Sequence, residues 1–278
     1  MSHWTELVTD NPVIKESHRS FGQQMNPKNW PTNTSISVAI VGVVYFVIIA
    51  LALQSVRDID ASVFSYVSLT CCILASAVVL YGTLAGEREK RTLDLLLVAP
   101  VTAGQIIAAK MMKAAVPVIV IVGLLVVPSI VFGVVRQSLG LQPLLSAASF
   151  PIFMAGSVLL VFSVSVFVGG VAIFVSSINR TTAGALTGTL AVLFLVYIVY
   201  AVMGGVVGTF NPKTADWMMA IHPYRALVHL NFPTPTLPAP MLVASVTSAL
   251  HLAAGAALTT WASKNINRER LKGMKPNA

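Results

Sequence analysis

Long apolar runs separated by short polar stretches dominate this chain. Six runs approach or exceed the roughly 20 residues needed to cross about 30 Å of hydrocarbon: 36–53, 63–84, 114–135, 152–178, 183–207 and 241–262. None of them contains Asp, Glu, Lys or Arg. A run this long that is apolar on every face predicts a membrane-spanning helix, because a helix at a protein–water boundary keeps one polar face. The pattern predicts an all-α integral membrane protein with six transmembrane helices. A polar segment, 1–34, precedes a transmembrane domain, 35–262, and a basic tail, 263–278, follows it. The first segment carries Glu6, Asp10, Lys15, Glu16, Arg19 and Lys28, so no cleavable signal peptide is expected and insertion starts from an internal span. Only residues 179–182 part the fourth and fifth runs, which predicts a tight helical hairpin.

Composition agrees with a bilayer. The 278 residues are 56% hydrophobic and 10% charged, against about 25% charged in a soluble domain. The net charge of +8 could suggest nucleic acid. Instead of clustering with stacking aromatics, however, Lys and Arg occupy the segments between the apolar runs, which speaks against nucleic-acid binding. Of the 18 Lys and Arg, 14 fall in the N-terminal segment, 85–113, 179–182 and the tail, and 4 fall in the alternate segments. The excess of positive charge on the cytoplasmic side of membrane proteins then places both termini in the cytoplasm. Cys71 and Cys72 are adjacent within a run and read as small packing residues, since neighbouring cysteines do not reach unstrained disulfide geometry.

The polar loop 85–113 is the most informative segment. Glu87 and Arg91, and Lys90 and Asp94, are four apart, so a helix running through them would pair each couple on one face. Leu93, Leu96 and Leu97 make an apolar stripe at helical spacing, and Pro100 ends that helix. Thr102 with Gln105 predicts a capping box for a second helix, with Val101 and Ile106 as its hydrophobic staple. The expected product is a bent amphipathic elbow at the membrane surface. It suits either a part that receives force from a soluble partner or a charged connector.

This stretch resembles the permease subunits of ATP-binding cassette transporters of the type-2 exporter class. Their pattern is E-[RK]-E-[RK]-x-T-L-[DE]-L-L-L, then a small residue, Pro, a Ser or Thr cap and a basic residue some eight positions on. Here it reads Glu87-Arg88-Glu89-Lys90-Arg91-Thr92-Leu93-Asp94-Leu95-Leu96-Leu97, then Ala99-Pro100, Thr102 and Lys110. Position 91 is often Gly in that family and is Arg here. Asn11-Pro12-Val13-Ile14-Lys15-Glu16 is similar to the family's opening, an elbow helix along the cytoplasmic face of the membrane, although Ser17-His18-Arg19 departs from its usual basic residue. Ile221-His222-Pro223-Tyr224-Arg225-Ala226-Leu227 is similar to a Pro-aromatic-x-Ala-Leu element after the fifth span.

The resemblance implies a multi-pass permease of a bacterial plasma (inner) membrane, moving an unknown substrate while a separate ATPase supplies energy. Two permeases, identical or homologous, would pair with two ATPase subunits. The implied coupling residues are Glu87, Arg88, Glu89, Lys90, Arg91, Thr92, Asp94, Pro100, Thr102 and Lys110, with 179–182 as a second, smaller contact. The chain has no G-x-x-x-x-G-K-[ST] phosphate loop, so ATP and Mg belong on the partner and no cofactor is expected on this chain. It also has neither H-E-x-x-H nor G-x-S-x-G, and no catalytic residue is expected. Two other classes stay open: a non-transporting anchor whose partner ATPase does mechanical work or signals, and an ion-coupled carrier. The lack of carboxylates in the spans weighs against the carrier.

Several residues carry two readings. His251 lies mid-span behind Ser245, Thr247 and Ser248, as a lining of the substrate path or an interhelical hydrogen-bonding group. His222 and His229 lack a third ligand, so no metal is expected. Trp217, Tyr224 and Phe232 read as outer-interface anchors, with a short interfacial or re-entrant helix over 217–230 and an extended Pro-rich connector over 232–240. Gly184 with Gly188, and Gly204 with Gly208, have the spacing that lets helices approach, within the chain or between copies. Pro117, Pro128, Gly169-Gly170 and Gly204-Gly205 are candidate kinks.

Overall fold

The computed structural model describes residues 62–93, 97, 101–138, 149–231 and 235–273. The predicted first span, the N-terminal segment with its elbow, and Asp94, Leu96, Pro100 and Phe232 lie outside the described residues. Two compact units share the chain. Of the first (1–61 and 128–142), the described part is the helical stretch 128–138. The second, Ser62–Val127 with Pro143–Ala278, carries the architecture below.

All regular structure among the described residues is helical. The helices are α1 (Ser62–Leu80), α2 (Ala85–Glu89), α3 (Ala103–Ser138), α4 (Ser149–Ile178), α5 (Thr182–Leu193), α6 (Tyr200–Phe210), α7 (Pro212–Met219), α8 (Pro223–Asn231) and α9 (Pro240–Gly273). A π-helical turn, Phe194–Val199, joins α5 to α6. Five helical stretches among the described residues are long and apolar enough to cross a membrane, and they overlap the second to sixth predicted runs.

Helix α4 is the hub. It is the most enclosed of the spans, and it packs against α1, α5, α8 and α9. Its interior face mixes Leu160, Val161, Val164, Val168 and Ile173 with buried serines. Small hydroxyls let backbones approach and are satisfied locally: Ser163 Oγ donates to the Leu160 carbonyl (2.9 Å), Ser165 Oγ to that of Val161 (2.7 Å), and Ser65 Oγ of α1 reaches Ser157 Oγ (3.4 Å).

Glycines set the closest approaches. A Cβ at Gly170 would lie 2.8 Å from the Gly255 carbonyl oxygen, and one at Gly255 would lie 2.9 Å from that of Val166. Backbone thus meets backbone where α4 crosses α9. Gly188 faces Val175, Gly204 accommodates the Met219 side chain, and Gly208 faces Ala215, so these predicted contact glycines pack against neighbours within the chain. The candidate kinks at Pro117, Pro128 and Gly169-Gly170 fall within continuous helices. The fifth span runs continuously from Thr182 to Phe210 and includes the π turn.

The span formed by α5, the π turn and α6 is the most exposed of the five. Leu190, Phe194, Leu195, Ile198, Val202 and Met203 point outward, an apolar surface that hydrocarbon accepts. Helices α7 and α8 form the predicted short helical element after it, as two helices where the sequence suggested one. Asn211 caps α7, its Oδ1 accepting from the Thr214 N–H (3.1 Å), with Pro212 in the first turn. Leu227 and Leu230 of α8 are buried, and Leu230 fills the space over Gly156.

Replacing Gly255 by Val is expected to destabilise the bundle by about 1–3 kcal/mol, because backbone atoms cannot yield to the new side chain. Gly205→Ala, where a Cβ meets nothing within 4 Å, is expected to leave stability unchanged or slightly raised. Thermal unfolding of both variants in detergent checks the pair.

Candidate functional site

One end of the bundle gathers the charged loop, the 179–182 turn, the start of α3 and the end of α9. The loop begins with α2, whose first N–H groups need acceptors. Ser176 Oγ on α4 supplies one, accepting from the N–H groups of Leu84 (3.1 Å) and Ala85 (2.9 Å). In return, α2 caps α4. Arg88 donates to the carbonyls of Ser177 (2.6 Å), Asn179 (2.7 Å) and Ser176 (3.3 Å), which the helix end leaves open. A cation at a helix C-terminus is also favoured by the macrodipole. The same guanidinium pairs with Glu269 of α9 at 2.7 Å, and its side chain is only 14% exposed.

The two neighbouring glutamates take other partners. Glu89 Oε2 accepts from the N–H (3.1 Å) and Oγ1 (2.8 Å) of Thr182, at the first residue of α5, so an anion stands where the dipole of α5 favours one. Thr181 caps the same helix, accepting from the Gly184 N–H (3.2 Å). Glu87 forms an ion pair with Lys110 on α3. The capping box read from the sequence is present: Gln105 Oε1 accepts from the Thr102 N–H (2.8 Å), and Thr102 Oγ1 accepts from the Gln105 N–H (3.2 Å). Val101 and Ile106, the predicted staple, are both buried.

The predicted helix through residue 91 does not form, and the expected Glu87–Arg91 pairing is corrected. Helix α2 ends at Glu89, and Arg91 has φ 58°. The Arg91 N–H donates to the Arg88 carbonyl (3.0 Å), and the Thr92 N–H donates to the Glu87 carbonyl (2.8 Å), the paired bonds of a Schellman helix stop. Its left-handed residue is the position where the resembling family often has Gly. Lys90, Arg91 and Thr92 are consequently turned to the exterior, while Leu93 is buried and Leu97 half-buried.

Sequence reasoning missed the contribution of α9. The stretch read as a basic tail continues the last helix to Gly273. Within it, Glu269 meets Arg88, Arg270 donates to the Val101 carbonyl (2.8 Å) and Asn265 to Ser177 Oγ (3.2 Å). The available signal was Ala262 and Ile266, an apolar pair at helical spacing running past the end of the hydrophobic run; both are buried.

At the opposite end of the bundle stands a histidine and tyrosine cluster. His222 Nε2 donates to the Tyr197 carbonyl in the π turn (3.1 Å). Its ring lies parallel to Tyr200 (6.2 Å), edge-on to Tyr197 (5.9 Å) and beside Tyr224 (5.7 Å). Tyr224 Oη bonds Thr70 on α1 (2.7 Å). His229 Nε2 donates to the Pro238 carbonyl (2.8 Å), so the two histidines serve separate backbone carbonyls. His251 is buried, donating from Nδ1 to the Thr247 carbonyl one turn back (2.8 Å), with its ring edge-on to Phe167 (5.3 Å). Thr247 in turn donates to the Ala220 carbonyl (2.8 Å), tying α9 to the α7–α8 turn. Asp216 accepts from Thr236 Oγ1 (2.6 Å) and Arg225 (2.8 Å). The Thr236 hydroxyl first, and the Arg225 guanidinium next, hold its carboxyl below the ordinary value.

Arg91→Gly is expected to raise stability by about 1 kcal/mol, since a left-handed backbone costs an L residue roughly 1–2 kcal/mol, and Arg91→Val to lower it; differential scanning fluorimetry reads both. The depressed Asp216 carboxyl stabilises the folded clasp fully above its ordinary pKa near 3.8 and loses that contribution as pH falls through its lower folded value. Acidification into that range is therefore expected to increase proteolysis of the 212–239 segment, and Asp216→Asn should remove the pH step.

The chain matches the family described as ABC-2 family transporter protein over residues 7–264. No curated protein matches it significantly. The match takes in the whole charged loop and the described spans up to residue 264. With several apolar membrane-crossing helices and a family match over nearly its full length, this chain is a multi-pass membrane protein that belongs to the ABC-2 family of transporter proteins.

Proposed function

We propose that this chain is the permease subunit of an ATP-driven exporter, and that a separate ATPase docks on α2 and the exposed residues after it. The observation that carries the reading is the bonding of α2: Arg88, Glu89 and Glu87 tie one short helix to α4, α5, α3 and α9. Force delivered to α2 therefore reaches four spans through charge-assisted bonds, the strong class of hydrogen bond. Lys90, Arg91 and Thr92 form the outward-facing part of the docking surface, with residues 179–182 beside them. Asp94 and Pro100 are assigned to the same surface on the resemblance.

In this reading residues 85–113, 179–182 and both termini are cytoplasmic, as the bias of basic residues suggests, in a bacterial inner membrane. The segments 1–34 and 263–278 are assigned to the cytoplasmic side of the transmembrane domain 35–262, the last segment beginning as a continuation of α9. ATP and Mg bind on the ATPase, present in two copies, and this chain carries out no catalysis of its own. A second permease, identical or homologous, completes the transporter, and alternating access switches the packing between bundles. His251 bonds the Thr247 carbonyl of its own helix rather than a neighbouring one, and packing against Phe167 of α4 fits its burial better than contact with substrate.

Reversing both charges with Glu87→Lys and Glu89→Lys is expected to cut transport-coupled ATP hydrolysis about tenfold or more, since each charge-assisted hydrogen bond is worth roughly 1.5–3 kcal/mol. Membrane insertion should be unaffected. Hydrolysis and vesicle transport by the co-purified complex measure the effect. Wild-type coupling in the double variant would remove α2 as the docking element, and robust substrate-independent hydrolysis with no transport by the unmodified complex would favour the anchor.

A further inference from the structure

The outward face of α9 carries a feature that coupling leaves unused. Ala256, Ala257, Thr260, Trp261, Lys264 and Arg268 line a groove of about 560 Å³, and all six are exposed. They follow one side of the helix, so the groove runs roughly 18 Å from the alanines to Arg268 at 1.5 Å per residue.

The chemistry changes along that length. The alanine end lies inside the apolar run 241–262 and offers no charge. Trp261 stands at the boundary between apolar and charged sequence, where tryptophan favours the headgroup level, and Phe174 of α4 supports its ring at 5.2 Å. Lys264 and Arg268, one helical turn apart, have neither an ion pair nor a hydrogen bond among the described residues. The nearby carboxylate of Glu269 is engaged by Arg88.

An occupant matching this layout is apolar at one end and anionic at the other. A soluble protein would match the charged end alone. We propose that the groove binds an anionic phospholipid. An acyl chain lies along Ala256 and Ala257, the glycerol region meets Thr260 and Trp261, and the phosphate is held between Lys264 and Arg268. Long basic side chains at a helix end reach headgroup depth while their stems cover apolar surface, and basic pockets at that level select negatively charged lipid. The site rests on α9 crossing the membrane and is independent of the ATPase assignment.

Native mass spectrometry of the full chain, extracted from nanodiscs of mixed phosphatidylglycerol and phosphatidylcholine, tests this directly. The wild type is expected to retain phosphatidylglycerol preferentially. The Lys264→Gln/Arg268→Gln variant should lower the retained ratio about thirtyfold, given roughly 1 kcal/mol per basic residue near an anionic surface. Lys213→Gln, an exposed change on α7, should leave it unchanged. Equal ratios in the wild type and the double variant would overturn the proposal. Should the double variant fail to insert, a photo-crosslinker at position 260 in the otherwise wild-type chain decides. Capture of phosphatidylglycerol supports the site, and capture of the chain's own N-terminal segment or of a second copy refutes it.

Discussion

A helix that stops at the edge of a bilayer leaves open carbonyls where water is scarce, and each must find a donor. Arg88 meets that demand for α4. Its guanidinium reaches three carbonyls at the α4–α5 turn and a carboxylate on α9. Because α4 is the hub on which the other spans pack, much of the arrangement at this end depends on that one planar cation. Lysine could not replace it, since one ammonium cannot present the same fork of donors. Ser176 completes the exchange from the other side, so α2 and α4 satisfy each other's exposed ends.

The neighbouring glutamates divide the remaining labour. Glu89 neutralises the start of α5 and Glu87 neutralises Lys110 of α3. Three consecutive charged residues on a one-turn helix thus reach four different spans. A solvated surface run of alternating charge would instead pair within its own helix. This outward distribution matches the alternation Glu-Arg-Glu: Arg88 at the end of α4 and Glu89 at the start of α5 each meet a helix dipole with the sign it favours, and Glu87 meets the cation of Lys110.

Much of this was legible from local signals. Apolar run lengths pointed to five helical stretches that overlap the described spans, although the third helix starts 11 residues before its predicted run and the last ends 9 residues after its own, and Thr102 with Gln105 announced the start of α3 through side chains lying three residues apart. The stop of α2 was hidden because Arg occupies a left-handed position that glycine usually marks. The latch on α9 was hidden because charge composition drew attention to Lys and Arg in the final segment, while Ala262 and Ile266 carried the helical continuation. The π turn was illegible for a different reason. Its wider pitch accompanies a contact with His222, 25 residues away in sequence, and no local propensity encodes a long-range bond.

Helix α9 has 34 residues and so measures roughly 50 Å, well beyond the hydrocarbon it crosses. One extremity grips the α7–α8 turn through Thr247, and the other grips Arg88 and the lead-in to α3. Gly255, midway along, is pressed against α4 and leaves little room for a bend there. The helix therefore acts as a pushrod: a twist or axial shift imposed at Glu269 arrives at Ala220 with little slack, although tens of ångströms of membrane lie between them.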